Sequence, residues 1–196
     1  MKKNTLLIAS VTLIVVTAFA ACIHNNANST VAEKPISRDS LVNLGKYLVN
    51  TMDCAACHTP KKMGPMGPEP DMDLALSGHP ANAPVPRLDS TMLKKGWILF
   101  DMGVTTFAGP WGQSYAANLT SDETGIGNWT EQQFFTALRK GKWKGIEQNR
   151  SLMPPMPWQS FAQLKDQDIK AIFAYLKSTK PVKNLVPAWQ PWNELK

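Results

Sequence analysis

Apolar residues recur at helical spacing in two well-separated stretches of the chain. In residues 40–51 one apolar face is formed by Leu41, Leu44, Leu48 and Val49, and Asp39 is a suitable N-cap. In residues 166–178 the buried stripe is formed by Ile169, Ile172, Phe173 and Leu176. Acidic residues open this second stretch and Lys177 closes it, which matches the helix dipole. Both stretches are therefore predicted to be α-helices.

A shorter helix is predicted between them, over residues 131–140. Thr130 and Gln133 have the spacing of a capping box, and Gly141 follows where a helix commonly ends. Its apolar surface comes from Phe134, Phe135, Ala137 and Leu138. The whole chain has 196 residues and is 43% hydrophobic, which is enough for one packed core. We therefore predict a single mostly α-helical domain built on about three main helices.

The stretch between residues 61 and 117 lacks this period and is rich in Pro, Gly and Met. Only residues 96–111 indicate regular structure, in the form of a short hairpin. A long irregular segment inside a compact domain is normally functional or wrapped around something. We therefore expect this insert to pack on a bound group rather than on itself.

The chain begins with the pattern of a secretory signal. Lys2 and Lys3 form a basic start, residues 5–19 are apolar, and small residues precede Cys22. A small-residue pair followed directly by Cys is similar to a bacterial lipobox. The pattern therefore predicts a lipoprotein-type signal peptide over residues 1–21 and export from the cytoplasm.

Lipidation of Cys22 would hold the exported protein at a membrane. Cleavage after Ala20 would instead leave a soluble protein with a free thiol. Residues 22–38 are polar and aperiodic, so we interpret them as a flexible tether. The folded domain is then predicted to span residues 39–196, in the periplasm and membrane-anchored.

Charge adds little to this prediction. The precursor has 21 basic and 15 acidic residues and a net charge of +6. The chain has no dense basic cluster interleaved with aromatic residues, so a nucleic-acid partner is not expected. Lys140, Lys142 and Lys144 form a short run, which is either a solvated face or a docking surface for an acidic redox partner.

The cysteines carry the most specific signal. Two of the three lie in Cys54-Ala55-Ala56-Cys57-His58, the C-x-x-C-H pattern of c-type haem attachment. Two thiols at this spacing reach the two vinyl groups of one porphyrin, and each forms a thioether. The next residue, His58, is then carried under the iron as its proximal ligand. We predict one covalent haem c, which is attached outside the cytoplasm and so agrees with the export signal.

Two other sites use the same C-x-x-C step, namely a redox dithiol and half of a zinc site. The third cysteine occupies the lipid position, so a four-cysteine zinc site is excluded. The second ring nitrogen of a histidine ligand normally donates to a backbone carbonyl or a carboxylate. For His58 we expect the carbonyl of Pro65 or Pro68.

Three residues compete to be the second axial ligand. Met153 and Met156 lie in a proline-stiffened segment, residues 151–158, far in sequence from the C-x-x-C-H motif. His79 would instead give a haem with two histidine ligands. Five other methionines are expected to fill gaps in the core: Met63, Met66, Met72, Met92 and Met102. Residue chemistry alone does not decide which of Met156, Met153 and His79 is the second axial ligand.

Three stretches resemble the class I c-type cytochromes, specifically the cytochrome subunits of membrane-bound bacterial dehydrogenases. They are CAACHTP at 54–60, NLTSDETGIGNW at 118–129 with the helix that follows, and MPPMPW at 153–158 with the closing helix and Pro181-Val182. The resemblance spans residues 40–182 in outline, and its middle stretch is a specific signature of that branch. Residues 72–109 have no counterpart that we can match.

The resemblance implies a cytochrome c-like fold around one haem. In this family a methionine in a Met-Pro-aromatic step is the axial ligand, which favours Met156 over Met153. The family also crosses its first and last helices near the haem edge, and Gly45, Tyr47 and Tyr175 suit such a crossing. Many relatives carry several haem domains, whereas this chain has one motif.

Three further residues are expected beside the haem. Trp129 is either a donor to a haem propionate, as similar tryptophans are in this class, or a plain core aromatic. Arg139 either neutralises a propionate or lies in solvent. Asn118 is expected to fix a turn near the haem.

These features predict an electron-transfer protein rather than an enzyme. His and Met ligands keep the iron six-coordinate in both oxidation states, and the thioether raises the potential. The expected donor is a dehydrogenase or quinol-oxidising complex, and the expected acceptor is a terminal oxidase. The alternatives are a haem-bearing subunit of a dehydrogenase complex and a haem enzyme with an open distal site.

Overall fold

The computed structural model describes residues 36–84, 88 and 90–194. The predicted signal peptide, Cys22 and most of the predicted tether lie outside the described residues. Six α-helices and five short β-strands are found in the described part of the chain. None of the helices described is both long and apolar enough to cross a membrane.

One helix leads into the C-x-x-C-H motif, and a second, shorter helix contains it. Helix α1 spans Arg38–Thr51 and helix α2 spans Cys54–His58. The predicted N-cap, Asp39, is wrong, because the hydroxyl of Ser37 caps α1 by accepting from the N–H of Ser40 at 3.1 Å. The helix therefore begins two residues earlier than its apolar pattern indicated.

The insert between residues 61 and 117 contains more regular structure than its composition predicted. Strands β1 (Lys61–Gly64) and β2 (Gly67–Pro70) form an antiparallel hairpin. Helix α3 follows at Ser90–Lys94. A three-stranded antiparallel sheet comes next, ordered β3 (Leu99–Phe100), β4 (Thr106–Gly109) and β5 (Gly112–Tyr115). The pairing of β3 with β4 confirms the expected hairpin, whereas β5 was not predicted.

Three helices follow the sheet: α4 (Glu131–Lys140), α5 (Trp158–Phe161) and α6 (Asp166–Lys177). The capping box of α4 is confirmed, since Thr130 accepts from the Gln133 N–H at 3.2 Å and the Gln133 side chain accepts from the Thr130 N–H at 2.9 Å. Gly141 ends the helix with a left-handed φ of 61°. Helix α6 begins after Lys165, whose side chain makes no capping hydrogen bond.

Helices α1 and α6 cross in close contact, as the resemblance implied. A Cβ atom on Gly45 would lie 1.9 Å from the carbonyl oxygen of Ala171 and 2.8 Å from the Cβ of Tyr175, so only glycine fits. The expectation that Tyr47 also packs in this crossing is wrong, because its side chain is 63% exposed. The crossing organises a buried apolar cluster formed by Val49, Leu76, Ile126, Phe134, Leu138, Ile169, Ile172 and Leu176.

The chain beyond α6 forms hydrogen bonds with the insert. It thereby connects the insert to helices α1, α4 and α6, which we call the helical frame. Gln190 and Gln113 exchange backbone hydrogen bonds of 2.8 and 3.0 Å. The Asn184 side chain donates to the carbonyls of Ser77 and His79 at 2.7 and 2.9 Å. Because these contacts join residues distant in sequence, they hold the insert in a defined position.

The insert exposes several residues that were expected in the core. Four of the five methionines expected as core filler are exposed, namely Met63, Met66, Met72 and Met102. Trp97 and Phe100 are exposed as well. The core-filler prediction is therefore wrong for these four methionines, because Met63, Met66 and Met102 lie in hairpins at the surface and Met72 in the short 3₁₀ helix that follows the first hairpin.

Candidate haem site

The proximal histidine is held by one short hydrogen bond. Nδ1 of His58 lies 2.7 Å from the carbonyl oxygen of Ala117. Since a carbonyl only accepts, Nδ1 carries the proton and Nε2 keeps its lone pair for a metal. Burial lowers the pKa of His58, which also keeps the ring neutral. The prediction that Pro65 or Pro68 accepts this hydrogen bond is therefore wrong, because the acceptor lies in the segment after β5.

Backbone contacts fix the surroundings of the motif. The Gly78 N–H donates to the carbonyl of His58 at 2.8 Å, and the Leu76 N–H donates to the hydroxyl of Thr59 at 3.0 Å. The insert therefore runs directly beside the C-x-x-C-H turn and positions it from one side.

The two thiols have different neighbours, and only Cys54 is among the described residues that pack against the apolar cluster. Cys54 and Cys57 are both free and partly buried. Burial raises the pKa of Cys54 to about 11, and it raises the pKa of Cys57 as well. A redox dithiol works with a lowered thiol pKa, so these environments do not favour that alternative. Cys54 and Ala55 pack against the apolar cluster, which provides an apolar surface beside the thiols.

The methionine segment approaches the same cluster from another part of the chain. Met156 is partly buried and packs against the apolar cluster, whereas Met153 is not among the described residues that do so. The carbonyl of Pro154 accepts a hydrogen bond of 2.8 Å from the hydroxyl of Ser114 in β5. The segment is therefore tied to the sheet two residues before Met156.

The strand β5 and the residues after it touch both halves of the site. Ser114 holds the methionine segment, and Ala117 holds the proximal histidine. Ser114 and Ala117 are only three residues apart in sequence. This short stretch therefore links the two candidate axial ligands, although they are far apart in sequence.

The sequence of residues 42–180 matches the family Cytochrome c. The chain belongs to the cytochrome c family. Similar proteins are a nicotinate dehydrogenase subunit of Pseudomonas putida, 31% identical over 159 residues and 79% of this chain, and the cytochrome c subunit of the Gluconobacter oxydans quinone-linked alcohol dehydrogenase, 32% identical over 146 residues and 74% of this chain. The fructose dehydrogenase cytochrome subunit of Gluconobacter japonicus is 31% identical over 144 residues and 72% of this chain.

This cytochrome corresponds to only part of each relative. The matched regions cover 10% of the nicotinate dehydrogenase subunit, 23% of the alcohol dehydrogenase subunit and 22% of the fructose dehydrogenase subunit. The resemblance to cytochrome subunits of bacterial dehydrogenases, proposed from sequence stretches, is confirmed by these matches.

The three further residues expected beside the haem have different surroundings. The Asn118 side chain accepts from the Thr120 N–H at 2.9 Å and donates to the carbonyl of Val182 at 2.9 Å, so it fixes a turn and the chain beyond α6. Trp129 is partly buried against the apolar cluster, and its indole makes no hydrogen bond to the described residues. Its role toward a propionate stays a prediction.

Arg139 has protein partners of its own. Its guanidinium donates to the carboxylate of Asp166 at 2.5 Å and to the carbonyl of Ala162. These contacts join the end of α4 to the start of α6. Neutralisation of a propionate by Arg139 stays a prediction, and it would compete with this ion pair.

Sequence reasoning missed the residue that orients the proximal histidine. Ala117 acts through its backbone carbonyl, and a carbonyl leaves no side-chain signature in the sequence. The polar residues buried around His79 were also missed, because Thr, Gln and Tyr in an aperiodic segment are normally expected at the surface. No alternating pattern in the sequence could have indicated them, because β4 and β5 are buried along nearly their whole length.

Proposed function

We propose that this cytochrome carries one covalent haem c and transfers single electrons. Cys54 and Cys57 form the thioethers, and His58 and Met156 are the axial ligands. The hydrogen bond from His58 Nδ1 to Ala117 carries the proposal, because it frees Nε2 for iron. The haem, when bound, supplies the one-electron Fe(III)/Fe(II) couple.

The donor set and its surroundings fit such a group. An imidazole nitrogen with a thioether sulphur is the ligand pair of cytochromes c, and the thioether favours the reduced state. The apolar residues that share a cluster with Met156 and Cys54 would exclude water from the iron: Ala55, Leu119, Trp129 and Phe135 all pack against that cluster. Low polarity beside the iron favours the less charged ferrous site.

The contacts favour Met156 over its two rivals. Met156 packs on the cluster that also receives Cys54, and Met153 does not. His79 lies elsewhere, since its backbone N–H donates to the carbonyl of Ala116 at 2.9 Å. Ala116 adjoins the residue that binds Nδ1 of the proximal histidine, whereas a second axial ligand must approach from the Nε2 side.

A six-coordinate iron leaves no position for substrate, so electron transfer is proposed in place of catalysis. We propose a dehydrogenase or quinol-oxidising complex as donor and a terminal oxidase as acceptor. The protein would work in the periplasm, anchored at a membrane through Cys22. The dehydrogenase donor is supported by the names of the relatives, which are subunits of such enzymes.

A second candidate is a haem-bearing subunit that stays bound to one dehydrogenase. The same names favour it. Isolation of the protein from its native membrane separates the two candidates. A carrier is recovered alone and is reduced by added dehydrogenase, whereas an obligate subunit is recovered with its partner enzyme.

The axial ligation is tested by visible and near-infrared spectra of wild type, Met156→Ala and Met153→Ala, expressed with export and haem attachment. We expect the sulphur-to-iron band of the oxidised protein in wild type and in the Met153→Ala control. We expect its loss in Met156→Ala. Persistence of the band in Met156→Ala would contradict the assignment, and its absence from wild type would favour two histidine ligands or an open site.

A further inference from the structure

Exposed apolar side chains are concentrated where the chain enters the three-stranded sheet. Ile98, Phe100 and Met102 are 51%, 66% and 69% exposed, and they alternate with the half-buried Leu99 and Asp101. An antiparallel sheet with one face in water normally carries polar residues on that face. The outward side chains in and beside β3 are therefore apolar where polar side chains are expected.

The fold of this segment does not bury these side chains. Strand β3 is at the edge of the sheet, where Phe100 lies opposite the buried Phe107 of β4. The carboxylate of Asp101 accepts from the N–H groups of Thr105 and Thr106 at 2.8 and 3.0 Å, which fixes the turn into β4. The exposed apolar side chains are therefore held on a defined backbone, and an exposed apolar patch of this kind marks an interaction site.

Basic and aromatic residues border this patch on its N-terminal side. Trp97 is 59% exposed, and Lys94 and Lys95 are exposed at the end of α3. Neither lysine forms an ion pair within the part of the chain that the structure describes. We use the name β3 surface for six residues: Lys94, Lys95, Trp97, Ile98, Phe100 and Met102. This surface combines positive charge with exposed apolar atoms.

The side chains of the β3 surface suit a lipid bilayer better than a protein partner. Protein interfaces carry about one hydrogen bond per 100–200 Å² and are depleted of lysine at their core. The polar side-chain groups of the β3 surface are only two lysine ammonium groups and the indole N–H of Trp97. A bilayer needs no matching set of hydrogen bonds. Lysine attracts its anionic phosphates, tryptophan favours the headgroup region, and phenylalanine and leucine-like side chains enter the acyl boundary.

We propose that the β3 surface binds an anionic lipid membrane. Its aromatic and aliphatic side chains enter the interface, and its two lysines contact headgroup phosphates. The proposal rests on the membrane anchoring in the proposed function. Lipidation of Cys22 would raise the effective concentration of the domain at the membrane, so a weak surface contact is enough to hold it there.

The consequence of this contact is a preferred orientation of the haem site. A tether alone would leave the domain free to rotate at the membrane. The insert that carries the β3 surface also contacts the C-x-x-C-H turn, through the N–H groups of Gly78 and Leu76. Binding of the β3 surface would therefore present the haem to membrane-bound redox partners in one orientation.

The test measures binding of the haem-loaded protein to vesicles by sedimentation. The protein is the predicted mature chain, residues 22–196, exported by a cleavable signal and carrying Cys22→Ser. This substitution removes the lipid attachment and leaves the β3 surface intact. The vesicles contain phosphatidylethanolamine with anionic phosphatidylglycerol, or neutral phosphatidylcholine alone. We expect binding to the anionic vesicles and much weaker binding to the neutral ones.

The apolar contribution is tested by two matched variants in this background. Phe100→Ser removes an exposed apolar side chain from the β3 surface, and Leu185→Ser removes one that is 73% exposed elsewhere. We expect Phe100→Ser to weaken vesicle binding about tenfold, because it removes apolar area that the membrane would cover. Leu185→Ser should leave vesicle binding unchanged. Circular dichroism checks that both variants are folded.

The charge contribution is tested by a second matched pair. Lys94→Gln removes one charge from the β3 surface, and Lys46→Gln removes one exposed charge from α1. We expect Lys94→Gln to weaken binding to the anionic vesicles about fivefold at low ionic strength, and Lys46→Gln to weaken it by less than about twofold. Added salt should remove the difference between the two variants.

Three results would overturn the proposal. They are the absence of wild-type binding to anionic vesicles, equal binding by Phe100→Ser and Leu185→Ser, and a dimer in analytical ultracentrifugation that Phe100→Ser dissociates. The third result would assign the β3 surface to a second copy of the chain.

Failure of this proposal is distinguishable from failure of the proposed function. Pyridine haem spectra and the near-infrared band are recorded on the same samples, and mass spectrometry of the native protein tests lipidation of Cys22. A protein with covalent haem and a methionine band that does not bind vesicles refutes the membrane contact alone. Vesicle binding by the β3 surface together with an unlipidated Cys22 would refute the anchor and support the membrane contact.

Discussion

The helical frame and the insert of this cytochrome differ in the kind of residue that they bury most completely. In α1 and α6 the most buried side chains are apolar, as with Val49 and Ile169 at 1% and 0% exposure. In the insert most of the side chains exposed by 2% or less are polar, as with His79 and Gln113 at 1%, although Ala108 is equally buried, and Met66 is fully exposed at 100%. The frame is therefore stabilised by apolar burial, and the insert by a network of hydrogen bonds.

The contrast explains why the insert needs neighbours. A buried polar network is stable only when its members find partners, and an unsatisfied member is costly. Some of the partners lie within the insert, as with Asp101 and Thr105, and others come from outside it, through the Asn184 side chain and the backbone of Gln190.

The largest effect is expected where the frame is truncated. Ile169→Ala removes a fully buried side chain from the apolar cluster and should lower the free energy of unfolding by about 2–5 kcal/mol. Met66→Ala removes apolar atoms from the insert that are already in solvent and should change it by less than about 0.5 kcal/mol. Urea denaturation of the haem-loaded proteins, followed by circular dichroism, measures both. Equal losses would contradict the contrast between the two regions.

An intermediate effect is expected in the polar centre of the insert. Thr105→Val keeps the shape but removes the hydroxyl that lies 2.9 Å from Nδ1 of His79 and donates to Asp101. The loss of these hydrogen bonds in a buried place should cost about 1–3 kcal/mol in the free energy of unfolding.

Thr105→Ser is the matched control, because it keeps the hydroxyl and removes only a methyl group. We expect it to retain most of the wild-type stability in the same denaturation experiment. If Thr105→Val is as stable as Thr105→Ser, the insert does not depend on its polar network.

The smallest effect is expected at the start of α6. Lys165 occupies the N-cap without a side-chain hydrogen bond, so Lys165→Ser should stabilise the protein by about 0.5–1 kcal/mol. Lys165→Ala removes the same charge without supplying a cap and should give no such gain. A thermal midpoint that rises equally in both variants would attribute the effect to charge rather than to capping.

The sequence predicted the frame well because its elements are locally determined. The capping box at Thr130 and Gln133 and the end at Gly141 were found as predicted, since each depends on residues within one or two turns. The glycine at the helix crossing was also identified from the family. The start of α1 was misjudged by two residues, because Ser37 and Asp39 both suit an N-cap and only their backbone geometry decides.

The conformation of the insert and its sheet could not be predicted from local sequence patterns. The hydrogen-bond acceptor for the His58 ring is a backbone carbonyl 59 residues away, and no residue type in the sequence indicates this contact. The burial of His79 depends on Thr106 and Tyr115, which reach it only after β4 and β5 pair. Long-range pairing of this kind cannot be read from period or composition.

By itself, the sequence determined the C-x-x-C-H motif, the family, the three long helices and the methionine candidates. These follow from covalent chemistry and from helical periodicity, both of which act over a few neighbouring residues. Only the tertiary structure decided that Ala117 orients His58, that Ser114 holds the methionine segment, and that His79 is buried beside Thr106 and Tyr115. The physical reason is that hydrogen-bond partners distant in sequence are chosen by packing, which the order of residues does not show until the chain has folded.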